Sequence, residues 1–268
     1  QVQAEAENDR LHIRYLLEKG AMYRVCNGNL LYHGCIPMEP DGSFTRVTMG
    51  DKTYFGKSLM DACDRLCRTA MYDRRMENTD LLWYLWCGPY SPLNGKDKIA
   101  TFERTFLDDP EARTEQKNPY YDLWNSGETA RTILTEFGVD FERGHIINGH
   151  VPVRKTKGDT PIKANGKFIN IDGGLSKAYQ PVTGICGYTL VYSSHELYLA
   201  EHQPFDPDTA ARESADVLSR TIMIEQYPDR LRVRDTDGGA DVERRIADLK
   251  KLLAAYRSGL VRTPSRME

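Results

Sequence analysis

The stretch from Gly144 to Gln180, GHIINGHVPVRKTKGDTPIKANGKFINIDGGLSKAYQ, constrains the fold more than any other part of the chain. Two short apolar runs, Ile146–Ile147 and Phe168–Ile171, have the length and composition of buried strands. Each run ends in a sharp turn, Asn148-Gly149 before His150 and Asp172-Gly173-Gly174 before Leu175. Glycines at such turns allow φ > 0 and let backbone approach a ligand closely. A histidine placed directly after a strand and a glycine is held by rigid scaffold, yet it points into the loop layer where ligands bind. Arg154, Lys155, Lys157, Lys163, Lys167 and Lys177 follow, so a histidine and several cations can converge on an anionic group. The combination predicts a metal-assisted phosphate site. Each feature alone is ordinary, because most imidazoles bind no metal and lysines usually sit in solvated loops.

A second histidine arrives in the same way. Asn27-Gly28 reads as a turn and Asn29–Tyr32 as a buried strand that delivers His33 into the glycine turn His33-Gly34. Two strand-end histidines far apart in sequence are expected when a fold gathers metal ligands from several loops. Taken alone, His33 suits a hydrogen-bonded structural role equally well. Between the two strands the spacing predicts a short strand over Thr45–Met49 and then helices. Ser58–Arg75 places Leu59, Ala62, Cys63, Leu66 and Ala70 at helical intervals, and Ser126 can cap a helix that stops at Gly138. A mostly helical insertion over residues 57–139 therefore separates the histidine-bearing strands. Within it, Leu81–Trp86 (LLWYLW) is assigned to core or inter-domain packing, since clustered aromatics chiefly supply buried area; a sugar-stacking platform is the competing reading. Gly88–Asn94 is a turn-rich break.

Residues 4–19 read as a helix with Leu11 and Tyr15 on its apolar face. Gly187–Ser193 and Glu196–Ala200 read as a β-hairpin joined at Ser194-His195. Beyond Pro204–Pro207 the tail changes character, with amphipathic helices expected over Asp208–Ile224 and Asp241–Tyr256. The stripe of Leu249, Leu252 and Leu253 suits packing on the parent domain or contact in a homo-oligomer. The expected division is residues 1–207 and a helical tail, 208–268.

Composition narrows the function classes. At 268 residues there is ample material for a core, and 40% hydrophobic with 28% charged residues is usual for a globular protein. A net charge of −3 argues against a general nucleic-acid binder. No run reaches the ~18 apolar residues of a membrane span. The polar start QVQAEAENDR shows no signal peptide and lacks an initiator Met, which fits a fragment or a processed product. Six scattered cysteines form neither a disulfide framework nor a zinc set and read as reduced thiols of a cytoplasmic protein.

LYHGCIPM (Leu31–Met38), GHIINGHVPV, FINIDGGLSKAYQ and GYTLVYSSHELYLAEHQPF together closely resemble the class III fructose-1,6-bisphosphatases, the bacterial type built on a calcineurin-like metallophosphatase fold. The resemblance runs over nearly the whole chain but corresponds only to the C-terminal part of that family's longer proteins. It implies an α+β fold: the C-terminal part of a calcineurin-like β-sandwich/α fold with a helical insertion and a helical tail. His33 falls where metallophosphatase relatives carry His-Gly-Gly or His-Ala-Gly, and His150 falls on their late Gly-His; there both bind a dinuclear metal centre. The resemblance further implies Mn2+ dependence, a sugar-phosphate substrate and cytoplasmic gluconeogenesis. Water activated at the metal centre would hydrolyse fructose 1,6-bisphosphate to fructose 6-phosphate and phosphate.

The superfamily's Asp-x-His, Gly-Asp-x-x-Asp-Arg-Gly and Gly-Asn-His-Asp/Glu motifs do not occur here; Gly158-Asp159 is followed by Thr160 and Gly28-Asn29 by Leu30. No catalytic residue is therefore identified in this chain. Two clamping metals need more ligands than two neutral imidazoles, and Mn2+ favours oxygen donors. The expectation is weak Mn2+ binding and no effective phosphatase activity from this polypeptide by itself. Arg154 and Lys177 are the candidate substrate-binding cations, because phosphate is recognised by charge-assisted donors. His145 is the alternative ligand, disfavoured because one strand cannot readily aim it and His150 at one ion. His12, His195 and His202 are read as structural. A phosphoesterase acting on phosphoproteins or dinucleoside polyphosphates, and a non-catalytic binding module, are the competing readings.

Overall fold

Three apolar segments far apart in sequence lie side by side in the computed structural model, which describes residues 2–73, 75–184, 187–203 and 219–261. They are β2 (Asn29–Tyr32), β5 (Ile146–Asn148) and β7 (Phe168–Asn170), the centre of a five-stranded sheet of order β1-β2-β5-β7-β6. β2 pairs with β5 and β5 with β7, both in parallel, with Leu30 opposite Ile146 and Ile146 opposite Phe168. Parallel strands are covered on both faces, so they read as continuous apolar runs; Leu30 and Ile146 are fully buried and Phe168 nearly so. β1 (Tyr23–Cys26) closes one edge as an antiparallel hairpin with β2. Its turn residues Asn27 (φ 48) and Gly28 (φ 75) both take positive φ, as the primed two-residue turn requires. The short β6 (Ile162–Lys163) pairs antiparallel with β7 at the other edge. The strand expected to reach Ile171 stops at Asn170, and Ile171 is more than a third exposed.

Residues 57–139 are mostly helical, as expected. The hairpin of β3 (Val47–Met49) and β4 (Lys52–Tyr54) leads into α2 (Gly56–Tyr72), α3 (Met76–Cys87), α4 (Thr101–Phe106), α5 (Pro110–Arg113) and α6 (Gly127–Glu136). α6 begins where its cap predicts, with Thr129 N–H donating to Ser126 Oγ at 3.1 Å, and it buries Ala130, Ile133 and Leu134. α2 adds Leu59, Met60 and Cys63 to the same core, where they join Tyr120 and Trp124. The aromatic run on α3 departs from the core assignment: Leu85 is buried, but Trp83 and Trp86 are 69% and 68% exposed. The second half of α3, Leu81–Cys87, is apolar around its circumference, so its one packed face leaves the indoles on the other.

The chain divides into two compact units, residues 1–189 with 200–220, and residues 190–199 with 221–268. The first also holds α1 (Val2–Lys19), whose apolar residues Leu11, Tyr15 and Leu16 are exposed, and α7 (Gln180–Thr183). β8 (Gly187–Tyr192) and β9 (Glu196–His202) form the expected hairpin, in a three-stranded sheet of order β10-β9-β8. β10 (Ser219–Gln226) corrects the helix expected over 208–224: residues 208–218 lie outside the described residues, and from Ser219 the chain is a strand. Ile222 and Ile224, two apart and half-buried, fit a pleated surface, and β-branched residues favour it. The second unit ends in α8 (Asp237–Arg257), which contains the second predicted tail helix. Thr236 caps it, and Leu249, Leu252 and Leu253 are 46–64% exposed. The architecture is mixed α and β with several sheets. Among the described residues no helix is long and apolar enough to cross a membrane.

Two outcomes follow from this core. Phe168→Ala removes a ring packed between the sheet and Tyr120 (centroids 6.2 Å apart) and should lower stability by ~3–5 kcal/mol in denaturant titration. Burial pushes the Cys35 and Cys63 thiols up to about 12. Both should therefore resist iodoacetamide at pH 8 in the native protein and label only on unfolding, as read by mass spectrometry.

Candidate metal-binding site

Parallel pairing sends the C-terminal ends of β2, β5 and β7 to one edge of the sheet, the usual position for a ligand crevice in such sheets. Those ends carry His33, Gly149-His150 and Asp172. Gly149 N–H donates to His33 O at 3.0 Å, and Ile171 N–H donates to Asn148 O at 2.9 Å. Behind them Asn148 Nδ2 donates to Tyr120 Oη at 2.6 Å, which in turn meets Tyr32 Oη at 2.6 Å, so a buried polar chain fixes the ends of β2 and β5. The residue that takes positive φ at the turn is His150 itself (φ 69), not Gly149. Left-handed backbone at a non-glycine residue costs about 1–3 kcal/mol and persists where surrounding contacts over-determine it.

Those contacts come from the insertion. Cys35 N–H donates to Pro92 O at 2.9 Å, bringing the 88–95 loop against the His33-Gly34 turn. A Cβ on Gly34 would stand 2.3 Å from Pro92 O, so only glycine follows His33 here. The loop is held from inside by Ser91, fully buried, whose Oγ donates to Leu85 O at 2.5 Å. Asn94 Nδ2 donates to Lys96 O at 3.0 Å and more distantly to Cys87 O and Gly88 O at 3.3 and 3.4 Å.

His33 Nε2 and His150 Nδ1 are 3.0 Å apart, with the rings edge-to-face. The Asn94 carbonyl, which can only accept, lies 2.9 Å from His150 Nε2. His150 Nε2 therefore carries the hydrogen and its Nδ1 presents a bare lone pair, onto which His33 Nε2–H donates. Burial, chiefly, lowers the His150 pKa, and the neighbouring His33 and Lys96 act in the same direction; the Asn94 carbonyl and Asp172 oppose it. A ring fixed as the neutral tautomer by a backbone carbonyl is the usual arrangement of a metal-ligating histidine. His33 and His150 are the residues that would hold a divalent ion at this edge, His150 through Nδ1 and His33 through Nε2 once its proton sits on Nδ1. Among the described residues no third His, Cys, Asp or Glu completes a group able to hold a metal.

The other expected site residues separate. His145 lies at the far end of β5, buried, with Nδ1 2.8 Å from Gly166 O, so its ring serves the scaffold. His202 bridges Thr189 Oγ1 and Ser219 Oγ. Three of the basic residues expected to converge are tied down elsewhere. Lys155 pairs with buried Glu201 at 2.5 Å, Lys163 with Asp159 at 2.6 Å, and Lys167 with the carbonyls of Phe141, Glu142 and Gly144. Arg154 and Lys177 are exposed. The sequence reading missed Ser91 and Asn94; the turn-forming run Ser91-Pro92-Leu93-Asn94-Gly95 was the available signal.

A family profile described as Firmicute fructose-1,6-bisphosphatase matches residues 3–258. The chain belongs to this family. A class 3 fructose-1,6-bisphosphatase of Clostridium botulinum (strain Loch Maree) is 49% identical over 263 residues, 96% of this chain and 39% of the relative. One from Clostridium beijerinckii is 47% identical over 261 residues, with the same coverage. The chain thus spans about two fifths of the length of these curated relatives. No solved structure matches.

The site yields one direct prediction. In the metal-free chain, nitrogen-15 shifts should show neutral His150 protonated at Nε2. Asn94→Ala, which removes the amide holding the loop, should cost about 1–2 kcal/mol and mix the two tautomers.

Proposed function

We propose that this chain is the C-terminal portion of a metal-dependent fructose-1,6-bisphosphatase of calcineurin-like fold, with residues 1–207 as the metallophosphatase portion and 208–268 as its tail. The observation that carries the reading is the His33–His150 pair, 3.0 Å apart with one ring locked by the Asn94 carbonyl, in a chain of this family. His33 and His150 supply two ligands of a divalent metal centre, with Mn2+ as the proposed ion. The remaining ligands come from the portion of the relatives' length outside this chain. When bound, the metal supplies Lewis acidity toward the phosphoryl group and an activated water. The residues here orient: β2 and β5 aim the imidazoles, and the 88–95 loop fixes the His150 proton on Nε2. Arg154 and Lys177 are proposed to receive the substrate's phosphate as charge-assisted donors. The substrate is a small sugar phosphate and the setting cytoplasmic, with self-association through the exposed tail stripe.

Titration calorimetry with Mn2+ and phosphate release test this. The chain alone should bind Mn2+ weakly, at least tenfold more weakly still after His33→Ala or His150→Ala, and release no phosphate from fructose 1,6-bisphosphate. Fused behind the N-terminal portion of the C. botulinum relative, it should turn over, and either substitution should abolish turnover. A silent fusion, or one indifferent to both histidines, would overturn the reading.

A further inference from the structure

Among the described residues of its unit, none covers the apolar stripe of α8. The helix packs on the short helical turn Val233–Asp235 just before it, with Gly239 against the Val233 carbonyl. From Ala240 to Arg257 it is otherwise open, only Asp241 and Ala255 being half-buried. Val242, Ile246, Leu249, Leu253 and Tyr256 recur at alternating steps of four and three, and each is between 41% and 64% exposed. That spacing is the a/d seam of a coiled coil, a seven-residue repeat that buries its apolar side chains against another helix.

The charges of α8 sort by position. On the face away from the seam, Arg244 reaches Asp241 at 3.3 Å and Lys251 reaches Asp248 at 3.4 Å, so the outer surface pairs within the helix. Arg245, at the edge of the seam, is also held by Asp241, at 2.8 Å. The other charged residues flanking the seam, Glu243, Lys250 and Arg257, form no ion pair among the described residues. A second copy of the helix supplies opposite charges in one orientation only. Laid antiparallel about a two-fold axis, Leu249 faces Leu253 of the second copy, Ile246 faces its Tyr256, and the two Leu252 side chains meet beside the axis. The same register sets Glu243 against Arg257 twice and Lys250 against Lys250 once. Laid parallel, Arg245 faces Lys250 twice and no opposite charges meet. Flanking charges choose the orientation, while apolar burial supplies the association.

We propose that α8 is a dimerisation helix, and that two copies of this chain associate through an antiparallel two-stranded coiled coil with Ile246, Leu249, Leu253 and Tyr256 at its centre. The interface is isologous: one patch is used by both copies, so association closes at two. This deepens the self-association assigned to the tail above and rests on that assignment alone; the His33–His150 pair takes no part in it.

Sedimentation equilibrium of the full chain at micromolar concentration tests this. The chain should be a dimer, and Leu249→Asp, which sets a charge in the seam, should raise the dimer dissociation constant about a hundredfold or more. Glu243→Arg and Arg257→Glu each turn two attractions into two repulsions and should raise it about fivefold or more. An equimolar mixture of those two variants should recover the original association, because each copy then offers the charge the other lacks. Arg244→Gln, on the outer face, should leave the constant unchanged. A monomeric chain, or a dimer unmoved by Leu249→Asp, would overturn the proposal. So would a mixture that associates no better than its components, since a parallel pair or an unrelated contact keeps residues 243 and 257 apart. None of these readouts involves phosphate release. A dimer with this charge pattern in a chain whose fusion never turns over would leave the coiled coil standing and remove the bisphosphatase reading; a monomeric chain whose fusion turns over would do the reverse.

Discussion

Parallel pairing of β2, β5 and β7 is the interaction on which the site depends. The register sets Leu30 against Ile146 and Ile146 against Phe168, and it can form only after the chain has closed a loop containing the whole helical insertion. Closing a long loop costs entropy that grows only logarithmically with its length, so burying these apolar residues can outweigh it. Once the strands are in register, the geometry of a parallel sheet does the rest. β2, β5 and β7 all point the same way, and His33 and His150 leave adjacent strands at the same edge. A slip of one residue would turn each apolar side chain to the opposite face and separate the rings.

The insertion is more than a spacer. Its 88–95 loop returns to the sheet edge, where Pro92 O meets Cys35 N–H and Asn94 O meets the His150 ring. Two constraints make that approach work. Gly34 leaves room for the Pro92 carbonyl, and the left-handed backbone of His150 turns its ring so that Nε2 reaches Asn94. The outcome is chemical: a backbone carbonyl decides which nitrogen of His150 holds the proton. The same loop continues into Lys96, which pairs across an isolated antiparallel bridge with Lys117.

Much of the scaffold was legible because its signals are local. Apolar runs bounded by Asn-Gly and Gly-Gly turns announced β2, β5 and β7, the Ser126 cap announced α6, and glycine-flanked histidines at strand ends announced the candidate ligands. What was not legible depends on long-range pairing. Lys155, Lys163 and Lys167 look like free phosphate-binding cations in sequence, but Glu201, Asp159 and three carbonyls hold them. Lys117, far outside the motif stretch, lies over the Tyr121 ring and forms no ion pair among the described residues. Trp83 and Trp86 read as core because aromatic clusters usually are, yet α3 has one partner face and more apolar surface than that face covers. The segment Ser219–Ile224 reads as the end of a helix only as a continuation of the residues before it; Ile222 and Ile224, two apart, have the period of a strand, which pairing with β9 completes.

The sequence by itself determined the α and β composition, the main strands and their turns, the helical nature of residues 57–139, the two histidines, and kinship with the Firmicute fructose-1,6-bisphosphatases. These follow from residue-level preferences and nearest-neighbour spacing, which need no knowledge of what lies across the fold. Tertiary structure alone decided that the two imidazoles meet at 3.0 Å, that Asn94 sets the tautomer of one of them, and which cations are neutralised. Those are distances and protonation states between segments tens of residues apart, set by strand register and loop closure rather than by any local pattern.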